Sequence, residues 1–258
     1  MKTAADAALR KLNLKVSRFD QFQVLLHKSA AYEHLSQKIA LSQALPQGGA
    51  LMPRLLESKS QLGQDLFAFA QRGCKTNGFF VEFGATNGVH LSNSYLLEQL
   101  GWRGILAEPA RSWHAALKTN RRCAIETRCV WRDSVSELAF LEAVDAEFST
   151  LAAYKSKDRN QRTQAVSYKV KTISLLDLLR EHDAPQMIDY LSIDTEGSEL
   201  QILQAFDFSR YNIGIITCEH NYTADRDEIK ALLEAHGFDR KYEEYSQFDD
   251  WYVRRPRA

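Results

Sequence analysis

Apolar and polar positions along the chain change period near residue 60. Before it, apolar residues recur three or four apart, first at Leu9, Leu12 and Val16, then at Leu25, Leu26, Tyr32 and Leu35. That spacing lines one face of a helix, and nothing in 1–44 reads as a strand. LPQGGALMP (45–53) breaks the pattern with proline and glycine. The pattern predicts two or three helices forming an appendage over 1–55. They either cap the main domain or offer an interface to a partner.

Over 56–258 short apolar runs alternate with amphipathic stretches. SQLGQDLFAFAQRG (60–73) reads as a helix ending at glycine, and GFFVEFG (78–84) as a buried strand. NSYLLEQLGW (93–102) is helical, GILAE (104–108) a second strand, RSWHAALKTNRR (111–122) helical and AIETRCV (124–130) a third strand. Further on, a helix over 174–183 starts at Ser174, a good N-cap, and MIDYLSID (187–194) is a fourth strand. A helix over 198–206 is capped by Ser198, IGIITCEH (213–220) is a fifth strand, and 226–237 is a helix ending at Gly237. FDRKYEEYSQFDDWYVRR (238–255) supplies two final strands, whose aromatic residues read as strand packing. Strands alternating with helices of this length imply βαβ units and a mostly parallel, doubly wound α/β sheet. Ligands of such sheets lie outside the carboxyl ends of the strands, so the chemistry belongs in the loops after 84, 108, 130, 194 and 220.

Composition narrows the class. The chain has 258 residues, 45% of them hydrophobic and 26% charged, which suits one sizeable soluble domain with a small appendage. Thirty-three Lys and Arg balance thirty-three Asp and Glu, which argues against a general nucleic-acid binder. No apolar run reaches membrane-spanning length, and the N-terminal stretch has no apolar core like that of a secretory signal. Four cysteines without C-x-x-C spacing read as reduced thiols in a cytoplasmic protein.

Three motifs carry the candidate chemistry. VEFGATNGVHLSN (81–93) ends a strand in an acid and turns through Gly84 and Gly88. It is neither the G-x-G-x-x-G dinucleotide fingerprint nor a P-loop, and an acid at that strand end attracts a cationic ligand. In GILAEP (104–109), Glu108 closes the next strand, where a carboxylate in a nucleotide fold accepts bonds from ribose hydroxyls. In DYLSIDTEGSELQIL (189–203), three acids crowd a helix start. The helix dipole accounts for some of them, but not for Asp194, which follows a buried run and faces the cleft.

Together these motifs resemble the FkbM family of S-adenosylmethionine-dependent methyltransferases, over roughly 60–254. Many members carry Asp where this chain has Glu82 and Lys where it has Ser192. The resemblance implies a Rossmann-like, seven-stranded, mostly parallel sheet with an antiparallel last strand. It also implies S-adenosylmethionine as cofactor and methyl transfer, commonly to a hydroxyl on sugars or other natural products. The expected cofactor site is Glu82, Gly84, Ala85, Asn87, Gly88, Ser92 and Asn93 for the methionine end, Glu108 and Pro109 for the ribose, Val130 for adenine, and Asp194, Glu196 and Gly197 at the fourth strand.

A hydroxyl needs a base, or a metal that lowers its pKa. His220 is the preferred base, with His90 second and Asp194 beside them as a further catalytic residue. Asp194 with Glu219 can instead hold Mg²⁺. The basic run 155–171 reads as a solvated loop or as a lid for an anionic acceptor. The acceptor expected is a saccharide, free, nucleotide-linked or lipid-linked. A polyketide or other secondary metabolite is the alternative, and a non-catalytic binding protein on the same fold the third reading.

Overall fold

The computed structural model describes residues 17–143, 149–154 and 165–256, with side chains from residue 31 onward. Seven strands form the main sheet: β1 (Phe79–Phe83), β2 (Arg103–Ala107), β3 (Ala124–Glu126), β8 (Met187–Ile193), β9 (Asn212–Glu219), β10 (Phe238–Lys241) and β11 (Asp249–Arg254). Their order is β10-β11-β9-β8-β1-β2-β3, and β11 alone runs antiparallel to both its neighbours. The expected Rossmann-like sheet with an antiparallel last strand is therefore present. The order reverses between β1 and β8, which opens a crevice at their carboxyl ends.

Alternation along the strands sorts the core. Phe79, Val81 and Phe83 of β1 join Leu178, Leu203 and Leu233 from the helices of one face. Phe80 joins Leu106, Phe67 and Leu117 on the other. Period-2 geometry thus puts Glu82 on the second face, along with Ser192 of β8 and Thr217 of β9. Trp251 of β11 packs against Phe67 there, with ring centroids 4.8 Å apart.

The sequence expectation fails between residues 124 and 174. The single strand expected over 124–130 is two. β3 stays in the main sheet, whereas β4 (Cys129–Trp131) pairs with β7 (Val166–Ser174) in a separate sheet. That sheet has the order β4-β7-β5-β6, with β5 (Glu137–Glu142) and β6 (Thr150–Leu151). Part of the run read as a basic loop is thus β7, whose outward side chains are polar, so its strand pattern is masked by lysines at 169 and 171. Residues 155–164 of that run lie outside the described residues. Ser174 caps the following helix, Leu175–Glu181, by accepting from Asp177 N. Ser198 holds the N-cap position of the helix Glu199–Ala205 as expected, but its hydroxyl donates to Thr195 Oγ1 at 2.8 Å and makes no side-chain capping bond.

At the N-terminus, among the described residues, helices span Ser17–Ala44 and Gly48–Leu51, within the appendage expected over 1–55. Leu9, Leu12 and Val16 lie outside the described residues, and Tyr32 is exposed rather than in a buried stripe. Leu41, Leu45 and Leu51 share the core cluster of Phe67 and Trp251. Among the described residues no helix is long and apolar enough to cross a membrane.

Candidate active site

A cavity of about 280 Å³ opens at the carboxyl ends of β1, β2, β8 and β9, where the sequence places the motifs. Of the expected cofactor residues, Glu82, Gly84, Asn93, Glu108, Pro109, Val130, Asp194 and Glu196 line it. Thr86, Cys129, Phe140 and Leu151 line it too. The last two come from the second sheet and complete an apolar wall with Val130.

Loop geometry explains the residues that do not reach the cavity. Asn87 Oδ1 accepts from Val89 N and His90 N, which turns the chain inward on itself. Gly88, expected to approach the cofactor, instead makes room for packing. A Cβ there would meet Arg121 Cγ at 2.6 Å and Leu117 Cδ1 at 2.7 Å. Ala85 is buried, Ser92 donates to Glu82, and Gly197 N donates to Glu199 Oε1 at 3.1 Å, so none of these three lines the cavity. Gly84 has φ +71°, and a Cβ on it would lie 2.1 Å from the backbone oxygen of Asp194. Its need for glycine thus comes from contact between the β1 loop and the end of β8.

The two expected cofactor carboxylates are held differently. Glu82 accepts from Asn93 N at 2.7 Å, Ser92 Oγ at 3.0 Å and Ser94 Oγ, with Arg121 Nη1 3.9 Å away. It is committed to fixing the 92–94 segment. Burial pushes its carboxyl up, and Arg121 and these bonds oppose the shift. Glu108 accepts from Thr86 N and Ala110 N, each at 2.8 Å, which leaves one lone pair per oxygen for a ligand diol. Burial pushes it up to about 7.

Asp194, Glu196 and Glu219 converge beside this end. Their oxygens lie within 4.8 Å of one another. Asp194 is pushed up to about 8 by burial and by Asp249 and Glu199. Glu219 is raised as well, by burial and by Asp194. Asp249, opposite Glu219 in the β9–β11 register, is held up at about 7 by burial and accepts from Gln64 Nε2 at 2.8 Å. Asn93 Oδ1 is buried without a hydrogen-bond partner among the described residues.

His220 does not face this group, which corrects the expectation of an imidazole base there. Strand alternation puts Glu219 on the cavity face and His220 on the opposite one, with Ile216 and Cys218. Its side chain is 1% exposed, with Nε2 3.7 Å from Asp250 Oδ1 and Nδ1 accepting from Tyr222 N at 3.0 Å. His90 lines the cavity and is exposed. Sequence reasoning missed Gln61, Gln64, Phe140, Leu151, Phe248 and Asp249 as lining residues. Asp249 alone had a usable signal, since it follows the same strand parity as Trp251.

The profile of a family described as "Methyltransferase FkbM domain" matches residues 82–240, more than half of the chain. No curated protein sequence matches it significantly. Among solved structures, a ribosomal protein L11 methylase from Lactobacillus delbrueckii subsp. bulgaricus is 10% identical, with 75% of this chain and 77% of that one covered at a TM-score of 0.40. Precorrin-6y C5,15-methyltransferase from Geobacter metallireducens GS-15 is 13% identical, over 73% and 85%, at 0.40. An O-methyltransferase from Bacillus cereus in complex with SAH is 13% identical, over 86% and 89%, at 0.39.

Proposed function

The chain belongs to the FkbM methyltransferase family, the S-adenosylmethionine-dependent methyltransferases, and from that premise we propose that it methylates a hydroxyl of an uncharged saccharide. The observation that carries the reading is the cluster of Asp194, Glu196 and Glu219 on the cavity wall, with their oxygens within 4.8 Å of one another. Crowding and burial push Asp194 up to about 8, so its ionised form is a stronger base than an ordinary carboxylate and can take a proton from an alcohol. Asp194 takes the place that the sequence suggested for His220.

The cavity chemistry fits the cofactor. Glu108 has free lone pairs for a ribose diol, Val130, Phe140 and Leu151 offer a flat apolar wall for a base, and the carboxylates favour a cation. When bound, S-adenosylmethionine supplies a methyl group activated by its sulfonium. The chain's own part is to position the two reactants, exclude water and hold the acceptor proton on Asp194.

Charge favours the uncharged acceptor. Glu82, Glu108, Asp194, Glu196, Glu219 and Asp249 line the cavity, and among the described residues no lysine or arginine does. Phosphate or carboxylate on the acceptor would find no lysine or arginine there to pair with. A nucleotide-linked sugar, and a lid for anionic acceptors, are accordingly less favoured. The three oxygens of Asp194, Glu196 and Glu219 support a second reading, in which a hard divalent cation activates the hydroxyl.

Labelled S-adenosylmethionine presented with methyl glycosides, sugar phosphates and nucleotide sugars tests the assignment. The expected result is transfer to glycosides, with Asp194→Asn lowering kcat ~10²–10⁴-fold while S-adenosylhomocysteine still binds. Preference for a phosphorylated acceptor, or full turnover by Asp194→Asn, would overturn it. Loss of activity on chelation, restored by Mg²⁺, would select the second reading.

A further inference from the structure

The segment SQLGQD (60–65) lies outside the residues matched by the family profile, yet it supplies part of one wall of the cavity, and the N-terminal helix packs against it. Gln61 and Gln64 both line it. Gln64 is used up internally: its Oε1 accepts from Leu62 N at 2.8 Å and its Nε2 donates to Asp249. The Gln61 side chain is exposed at the mouth, and its backbone oxygen bonds to His34 of the helix.

The helix Ser17–Ala44 fixes this turn at several points. Lys38, 4% exposed, donates from Nζ to Ser58 Oγ at 2.9 Å and to Ser58 O at 3.3 Å. Ser58 Oγ and Ser60 Oγ in turn donate to the fully buried Asp65, at 2.7 and 2.5 Å. Leu41 sits against Gly63, where φ is +91° and a Cβ would lie 2.6 Å from Leu41 Cδ2. A bridge from Ser60 to Leu91 ties the turn to the β1 loop. The same helix reaches the other side of this wall, since Gln247, next to lining residue Phe248, donates to Gln37 Oε1 at 3.5 Å.

A buried ammonium, a buried carboxylate and two serines form a costly network for a turn that need only connect. We propose that Gln61 is an acceptor-contacting, specificity-determining residue, and that the N-terminal helix, through Lys38, is the element that positions it. A carboxamide offers both a donor and an acceptor, which matches a vicinal diol, and it carries no charge that would repel or attract the acceptor as a whole. This rests on the saccharide reading above.

The test measures methyl transfer to a panel of methyl hexosides, 6-deoxyhexosides and pentosides. Gln61→Ala is expected to raise acceptor KM about tenfold, as a lost hydrogen-bond partner does. Its S-adenosylhomocysteine affinity and melting temperature should stay unchanged because the side chain is exposed, and Gln61→Asn should restore part of the loss. Lys38→Met is expected to raise acceptor KM more than it lowers kcat, again with S-adenosylhomocysteine affinity retained. Transfer by wild type with an unchanged acceptor KM in Gln61→Ala overturns this proposal alone. An unchanged acceptor KM in Lys38→Met overturns the positioning role. A wild type that methylates none of the glycosides overturns the saccharide reading and this proposal with it.

Discussion

Glu108 and His220 show how position and role separate at the level of single residues. Glu108 sits where the sequence put it and keeps lone pairs toward the cavity. Glu108→Ala is expected to weaken S-adenosylhomocysteine binding by roughly 1.5–3 kcal/mol for each ligand hydrogen bond lost, read by calorimetry. Unchanged affinity would remove Glu108 from the site. His220 is one residue past the cavity face and is enclosed by Asp250 and Tyr222. His220→Ala should therefore lower the melting temperature by several degrees, for a cavity and a lost hydrogen bond. Its kcat should stay near wild type, and a large drop in kcat at unchanged stability would return the imidazole to the chemistry.

At the scale of elements, the site depends on one loop pressed against one strand end. Gly84 touches Asp194 through the backbone, so Gly84→Ala cannot be absorbed by a side-chain shift. Gly88 faces the side chains of Arg121 and Leu117, which have some freedom to move. Both variants are strained by positive φ. Gly84→Ala should abolish S-adenosylhomocysteine binding because the β1 loop and Asp194 move apart, whereas Gly88→Ala should mainly lower stability, by ~1–3 kcal/mol. Calorimetry and thermal melting on the two variants check this. Equal loss of binding in both would mean that the whole loop, not the Gly84 contact, is what the ligand reads. The same elements show where the sequence stops being legible. Strands β1, β2, β8 and β9 are apolar runs buried on both faces and read clearly. β7 has only three buried positions in nine and looks like a polar loop until it is paired with β5.

For the whole molecule, the crowd of buried acids sets the response to pH. Asp194, Glu108 and Asp249 titrate at about 8, 7 and 7 in the folded chain, above their ordinary carboxylate values of 3.8 to 4.5. The folded state therefore holds protons that the unfolded state has released. Their stabilising contribution is full below about pH 4 and is lost as pH rises through 7 to 8. Glu98, Glu126 and Asp250 are shifted the other way, although burial, the largest influence on each, pushes them up; Arg121 and Cys123, Arg128, and Arg226 with Arg240 hold them down. Their contribution is lost as pH falls below the usual carboxylate range. The free protein should thus be most stable near pH 5, and its melting temperature should fall between pH 5 and 8. Glu219→Gln should flatten that fall. A melting temperature that rises over the same interval would show that the acids are ionised and otherwise compensated.

Local pattern alone determined the mostly parallel sheet and the carboxylates at the strand ends, whereas the antiparallel last strand was implied by the family resemblance. The first two depend on hydrophobic period and on what a strand end exposes, both of which are short-range properties. The tertiary structure decided which acid meets which. Asp194, Glu219 and Asp249 are distant in sequence and share a site only because β8, β9 and β11 are neighbours, and because period-2 parity turns Glu219 inward and His220 away. It also decided that Gln61, carried by a turn with no strand or helix period of its own, reaches the cavity from beneath the N-terminal helix. A hydrogen bond such as that of Gln64 to Asp249 spans 185 residues, and no window of local sequence contains both partners.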